Sequence, residues 1–465
     1  GLNFRLVFAV ITAAFGSAFQ HGYNIGVVNA PETILVEWIL SLKGNQSVDE
    51  DISQEYVTMI WSTTVSIFCV GGMIGGTLVG VIADQIGRKN GLIYNNILAA
   101  VAALCQGFAK HIGSYEIFIL GRLIIGLNAG INAGLAPIYL IEISPIALRG
   151  AIGTVYQFVI TISILLSQLL GLHSVLGTED RWPYLFLFTL LPAFLQTITL
   201  PFCPETPKQV LKVTRNEIKA KQALIWLRGS LDVNAELEEM KGELESERNQ
   251  PTVSLFQLII NRRLIIPLII SSCLMLAQQL SGINIVTYYS TSIFLQAGLS
   301  EVTAQYATLG VGCVNVLMTL ISLILVEKSG RKTLLLIGFG GMFVSTLILS
   351  RCLANEEMIF VAYLSIGAVL LFVSFFSIGP GSIPWFITTE LFAHNARPTA
   401  TSVAVCINWI ANFMVGISFP PLTLLWRYNV LLIFAVMQAL FIIFIHYLVP
   451  ETKNKPIEEI SALFR

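Results

Sequence analysis

DQIGRK, residues 84–89, and EKSGRK, residues 327–332, are two versions of one phrase, an acid, two variable residues and then Gly-Arg-Lys, with Arg88 recurring as Arg331, 243 positions on. EISPIALR, residues 142–149, returns as ELFAHNAR, residues 390–397, with Arg149 and Arg397 248 apart. PETP, residues 204–207, returns as PETK, residues 450–453, with an offset of 246. Three phrases in the same order at nearly one offset are the mark of a tandem duplication.

Each phrase follows a long apolar run. The 465-residue chain is 55% hydrophobic and only 12% charged, where a soluble domain is about a quarter charged. A bilayer core needs about 20 apolar residues per helix. Twelve runs qualify, near 4–28, 57–82, 91–110, 115–141, 150–172, 182–203, 263–294, 302–326, 333–353, 359–389, 398–421 and 427–449. The expected fold is an all-α membrane protein of twelve transmembrane helices in two pseudo-symmetric six-helix bundles, 1–203 and 263–450. Between them, 204–262 is rich in charge and predicts a small helical domain, including a helix to Arg228 with Asn216 as its N-cap and Gly229 at its C-terminus; 451–465 begins a tail.

Lys and Arg cluster on one alternating side: Arg88 and Lys89, Arg149, Lys208, Arg262 and Arg263, Arg331 and Lys332, Arg397, then Lys453. That side is predicted to be cytosolic, with both termini on it. The opposite side carries the single Asn-x-Ser/Thr sequon, at Asn45, a candidate glycosylation site.

The function classes narrow accordingly. Seven Cys, all in or beside apolar runs, do not read as a disulfide framework. Five scattered His and the lack of metal-spaced or nucleophile motifs argue against an enzyme. No cofactor, metal or nucleic-acid partner is expected; the lipid bilayer is.

QQLSGINIVTYYS, residues 278–290, lies in an uncharged run yet is dense in amides and hydroxyls. On an unbroken helix Gln278 and Asn284 would point about 120° apart. The Ser281-Gly282 pair predicts a local break that turns Gln278, Gln279 and Asn284 toward one cavity. Gln157, Asn315, Asn408, Asn412 and Trp409 offer further groups from other spans, and Phe376 and Trp385 add aromatic faces. Neutral donors and acceptors beside aromatic rings suit an uncharged polyol such as a sugar. The plainer reading is that such amides join helices. Gly-Pro-Gly-Ser-Ile-Pro, residues 379–384, predicts a break in span ten.

Asp84 and Arg88, like Glu327 and Arg331, are four apart and could meet on one helical turn or cap neighbouring helix ends. Arg122, inside span four, needs a partner at that depth.

GRK after spans two and eight, PETP and PETK, QQLSGIN in span seven and GPGSIPW in span ten together resemble the sugar porters of the major facilitator superfamily, specifically the facilitative hexose transporters. The resemblance covers essentially the whole chain. It implies two parallel repeats with a midplane site between them, and sugar contacts from Gln157, Gln278, Gln279, Asn284, Asn315, Trp385 and Asn408. It also implies cytosolic ion pairs, drawn from Asp84, Arg88, Arg122, Glu142, Arg149, Glu205, Glu327, Arg331, Glu390, Arg397 and Glu451, that join helices when the carrier is open outward and part when it opens inward.

The expected activity is passive uniport of a hexose, D-glucose first, by a monomer in the plasma membrane. Trp385 favours glucose over fructose. Asn24 stands where proton-coupled relatives carry an acid, which favours uniport over symport. Ser377 stands where glucose carriers usually have Glu and Thr287 where an aromatic is common; Ser377, just before the Gly-Pro-Gly break, is read as acting on gating. Lys89, Lys208 and Lys332 replace the usual Arg and offer point charges rather than forks. A proton-coupled symporter, a fructose-preferring uniporter and a non-transporting sugar sensor are the alternatives.

Overall fold

A computed structural model describes residues 2–43, 50–355, 357–393 and 395–464. Asn45 lies outside them. Eleven helical stretches among the described residues are long and apolar enough to cross a bilayer, and the last, Arg397–Leu448, is two helices, Arg397–Trp426 and Val430–Leu448, reversed at Arg427 (φ 50°). The chain therefore has twelve spans.

In order, the first six are Phe4–Gly26, Glu50–Gln85, Arg88–Ile112, Tyr115–Ile143, Arg149–Leu170 and a sixth made of Trp182–Leu187 and Leu190–Thr199. The sixth is interrupted because Pro192 has no N–H to return to Phe188. The last six begin with span seven, Arg262–Gln278 continued through a π-turn to Asn284–Gln296, then Glu301–Lys328, Arg331–Ala354, span ten in two pieces (Ile359–Ile378 and Ile383–Leu391), and the two helices above. Both expected breaks are present. Gly282 has φ 97°, a conformation open to glycine without strain, and it carries the π-turn in span seven.

Large apolar side chains cover the outside: Tyr94, Ile97, Phe194 and Val436 are each more than half exposed. Inside, spans two and four approach closely on glycine. A Cβ at Gly126 would lie 2.1 Å from the Phe68 carbonyl oxygen and one at Gly130 2.2 Å from that of Gly72. Small residues at such contacts let backbones pack where the hydrophobic effect gives no net drive. Between spans six and seven, four helices follow: Pro207–Thr214, Glu217–Arg228, Asn234–Asn249 and Leu255–Ile260. The second is capped as its sequence predicts, the Asn216 side chain accepting from Lys219 N–H and Gly229 taking the left-handed turn.

The first six and last six spans are joined unevenly. Among the described residues, every hydrogen bond between residues before 204 and those after 262 involves Asn29, Gln305 or the Cys69–Tyr288 pair. Asn29 and Gln305 lie at the end opposite the Lys/Arg-rich face. At the basic face, among the described residues, no hydrogen bond or ion pair joins the two bundles.

Candidate functional site

The break in span seven gathers amides that an unbroken helix would scatter. Asn284 donates to Gln279 Oε1. Gln279 Nε2 donates to Asn408 Oδ1 (3.1 Å) and Gln278 Oε1 (3.3 Å), and Asn408 Nδ2 donates to Gln278 Oε1 (2.8 Å). All four residues are buried. The Gln278 amide then reaches span ten, donating to the carbonyls of Pro380 (2.9 Å) and Gly381 (2.8 Å), groups set free by that helix's own break. Gln278 thus acts in part as helix glue, satisfying backbone acceptors that have no water available.

The remaining candidates stand around this network. Ser377 Oγ lies 3.4 Å from Asn315 Oδ1, so span ten touches span eight there. Trp385 is 39% exposed and its indole N–H is open, while Phe376 is half-buried. Gln157 is exposed and makes no hydrogen bond to the network; its neighbour Tyr156 meets His21 (3.1 Å). Asn412 accepts from the Tyr288 hydroxyl (3.2 Å), and the Trp409 ring lies against Phe68 and His21. No set of three or more metal-ligating side chains occurs among the described residues.

The duplicated phrases build the same cluster twice at the basic face. Arg88 Nη2 pairs with Glu142 Oε1 (3.0 Å), and Thr206 Oγ1 donates to Glu142 Oε2 (2.6 Å). In the second half Arg331 Nη2 pairs with Glu390 Oε1 (3.1 Å), and Thr452 donates to Glu390. Glu205 accepts from Lys89 N–H (3.0 Å) and Glu451 from the N–H groups of Arg331 (2.9 Å) and Lys332 (3.2 Å). Each PET acid therefore caps the helix that Gly-Arg-Lys begins. Burial raises the pKa of Glu205, opposed by the N–H groups of Thr206 and Lys89.

Several expectations need correction. Asp84 and Arg88 do not share a helical turn, because Gly87 (φ 99°) ends span two between them; their contact is 3.8 Å, and Lys212 holds Asp84 more closely (3.0 Å). Glu327 is exposed and pairs with no base, Arg331 having turned to Glu390. Arg149 meets no acid and Arg397 donates only to the Phe392 carbonyl (3.2 Å), which is no departure from the expectation, since the basic face is open here. Arg122 belongs to no cytosolic pair: it sits two turns from the other end of span four, fully buried over the Phe68 ring (4.8 Å) and donating to the Asn24 carbonyl (2.8 Å). Sequence reasoning missed Asn29, Thr206 and Thr452. The threonines had a signal, the shared third letter of both PET phrases; Asn29 had none.

Residues 9–464 match the family described as Sugar (and other) transporter. The chain belongs to that family. Facilitated glucose transporter protein 1 of Caenorhabditis elegans is 47% identical over 98% of this chain and 89% of its own length. The human solute carrier family 2, facilitated glucose transporter member 3, is 46% identical over 99% of the chain and 92% of its own. In fold, this sugar transporter is similar to the inward-open form of the xylose transporter XylE from E. coli, with a TM-score of 0.83, 24% identity and coverage of 99% and 100%. It is a multi-pass membrane protein.

Proposed function

We propose that this sugar transporter carries a hexose, D-glucose first, down its gradient by alternating access, as a monomer in the plasma membrane with both termini in the cytosol. The observation that carries the substrate class is the neutral amide network at the break of span seven. Its members exchange bonds among themselves, while Asn284 Oδ1, the Gln157 amide and the Trp385 indole remain open. A sugar's hydroxyls can replace amide–amide bonds one for one, and its C–H face can rest on Trp385 and Phe376. An ionic substrate would need a counter-charge that the network does not hold.

Asn24 supports uniport. Its Oδ1 accepts from Thr189 (3.3 Å) and its carbonyl from Arg122 (2.8 Å), so a neutral amide, not an acid, stands beside the buried guanidinium. The names of the relatives, facilitated glucose transporters, support the same reading. The two bundles, 1–203 and 263–450, move against each other in this scheme, with 204–262 as the domain that links them. Arg149 and Arg397, without acids in the conformation described, pair across the basic face when it closes.

Uptake of labelled D-glucose into proteoliposomes tests the proposal. The expected result is equilibration without accumulation, unaffected by a proton gradient and competed better by glucose than by fructose. Accumulation driven by inward protons overturns uniport, stronger competition by fructose overturns the substrate preference, and no uptake of any hexose leaves the sensor reading.

A further inference from the structure

A cavity of about 550 Å³ lies between spans one, five and six, and shares no residue with the amide network. Phe4, Phe8, Phe15, Phe19, Phe188 and Leu191 form most of its walls, and several of them, Phe15 (47%) and Leu191 (48%) among them, are also exposed on the membrane-facing surface. Three polar side chains interrupt this lining, Thr12, Gln196 and Thr199, the last with its hydroxyl spent on the Leu195 carbonyl (2.7 Å). Thr12 lies beside Gln196, whose Oε1 is buried without a partner. Both residues are more than nine-tenths buried, 7% and 1% exposed.

Their placement is specific. Gln196 Nε2 is held by Ser17 Oγ (3.0 Å) and the carbonyls of Thr12 and Ala13 (3.3 Å each), which fixes the amide and leaves Oε1 as its unpaired end. Gly16 makes room for it: a Cβ there would lie 2.2 Å from Gln196 Nε2. In hydrocarbon an unpaired acceptor is costly, and an acyl chain has no donor to offer.

We propose that this cavity binds a sterol from the bilayer, its hydroxyl donating to Gln196 Oε1 and accepting from Thr12, its fused rings lying along Phe15, Phe19 and Phe188. The match is chemical and geometric. A sterol has one hydroxyl for one polar pair on an otherwise apolar, rigid body. From Thr12 to Phe19 span one rises about 10 Å, room for the ring system with the tail running on into lipid. A rigid ligand also loses less conformational entropy on binding than a flexible acyl chain.

The test uses the full chain in phosphatidylcholine vesicles with a ring-labelled photoreactive cholesterol analogue. Crosslinks are expected in 12–19 and 188–196, competed by cholesterol and less well by its mirror-image enantiomer, which orders the bilayer to the same degree. Gln196→Leu and Thr12→Val should each cut labelling about fivefold, one hydrogen bond of about 1 kcal/mol. Leu191→Trp, on the exposed wall, fills the cavity and keeps the test open if either polar variant lowers the unfolding temperature. Labelling elsewhere, equal competition by both enantiomers, or equal competition by a fatty acid overturns the proposal, the last identifying an acyl-chain groove.

Discussion

Asn29 completes the hydrogen-bond ladder of a helix in the opposite bundle. In span seven the Thr291 N–H, which a regular helix would aim at the Thr287 carbonyl, donates to Asn29 Oδ1 (3.2 Å), while that carbonyl accepts from Asn29 Nδ2 (3.1 Å). Asn29 Nδ2 also donates to Ser290 Oγ (2.7 Å). The helix is bent at the same place, Tyr289 having φ −130° and ψ 15°. One carboxamide thus holds the two bundles together and fills the backbone gap that the bend creates.

Replacing Asn29 with Ala removes four interhelical bonds, the fourth to the Val286 carbonyl (3.4 Å), worth about 0.6 kcal/mol each in a membrane. The equilibrium should move about sixtyfold toward opening at this face. Thiol labelling of a cysteine placed near Ser290 would rise accordingly, and unchanged labelling would show that the apolar contacts alone keep this face closed.

Gln278 and Asn284 should separate stability from affinity. Gln278→Ala frees the Pro380 and Gly381 carbonyls and the Asn408 amide and should lower stability by about 2 kcal/mol, three interhelical bonds, seen as a lower unfolding temperature. Asn284→Ala removes an open acceptor and should raise KM for glucose about fivefold, an unmade hydrogen bond of about 1 kcal/mol, with the unfolding temperature little changed. Equal effects of both variants on both measurements would return the network to helix joining alone.

The difference between what could and could not be read beforehand is one of range. Repeats, spans and the Asn216 and Gly229 caps are local patterns, and the structure contains them where the residues predict. The break at Gly282 was legible too. That Gln278 spends its donors on carbonyls 102 residues away was not, because only the broken backbone of span ten makes those carbonyls available. Asn29 is the same case. The Asp84–Arg88 contact is present but loose (3.8 Å), for a local reason: four-residue spacing brings two side chains close on a continuous helix, and Gly87 ends the helix between them.

At the basic face, Glu142→Gln and Arg149→Ala should behave oppositely. The first leaves Arg88, 7% exposed, with only the 3.8 Å contact to Asp84 as counter-charge and should cost about 3 kcal/mol. The second removes a side chain that meets no acid in this conformation and should change its stability by less than about 0.5 kcal/mol, while favouring it over the state in which Arg149 is paired. Thermal unfolding of both variants decides the point, and a large loss in Arg149→Ala would place its partner in this conformation.

Glu32 gives the closed end a pH dependence. It begins the short helix Glu32–Leu42, its Oε2 buried without a hydrogen bond, with Trp61 on its own bundle and Tyr289 on the other as neighbours. Burial raises its pKa from 4.5 to about 8. A raised acid binds its proton more tightly in the closed form, so closure is favoured at low pH and loses that advantage as pH rises from about 4.5 to about 8. Labelling at this face should therefore increase across that window, and Glu32→Gln should flatten the profile; a profile unchanged by Glu32→Gln would assign the titration to another group.

Ser377 is where substrate choice and gating can be told apart. It precedes the break in span ten, which favours gating. Yet its side chain is buried, donating to the Val373 carbonyl (2.9 Å) and facing Asn315 Oδ1 (3.4 Å), a proposed sugar contact. A carboxylate at this position would accept from the Asn315 amide or from a sugar hydroxyl with a charge-assisted bond, stronger than any that a serine makes. The contact with Asn315 decides the expectation in favour of substrate choice. Ser377→Glu should shift the competition of glucose against other hexoses about tenfold, for a bond of about 1.5 kcal/mol, with turnover changing less. Altered turnover at a constant hexose ranking would assign Ser377 to the hinge.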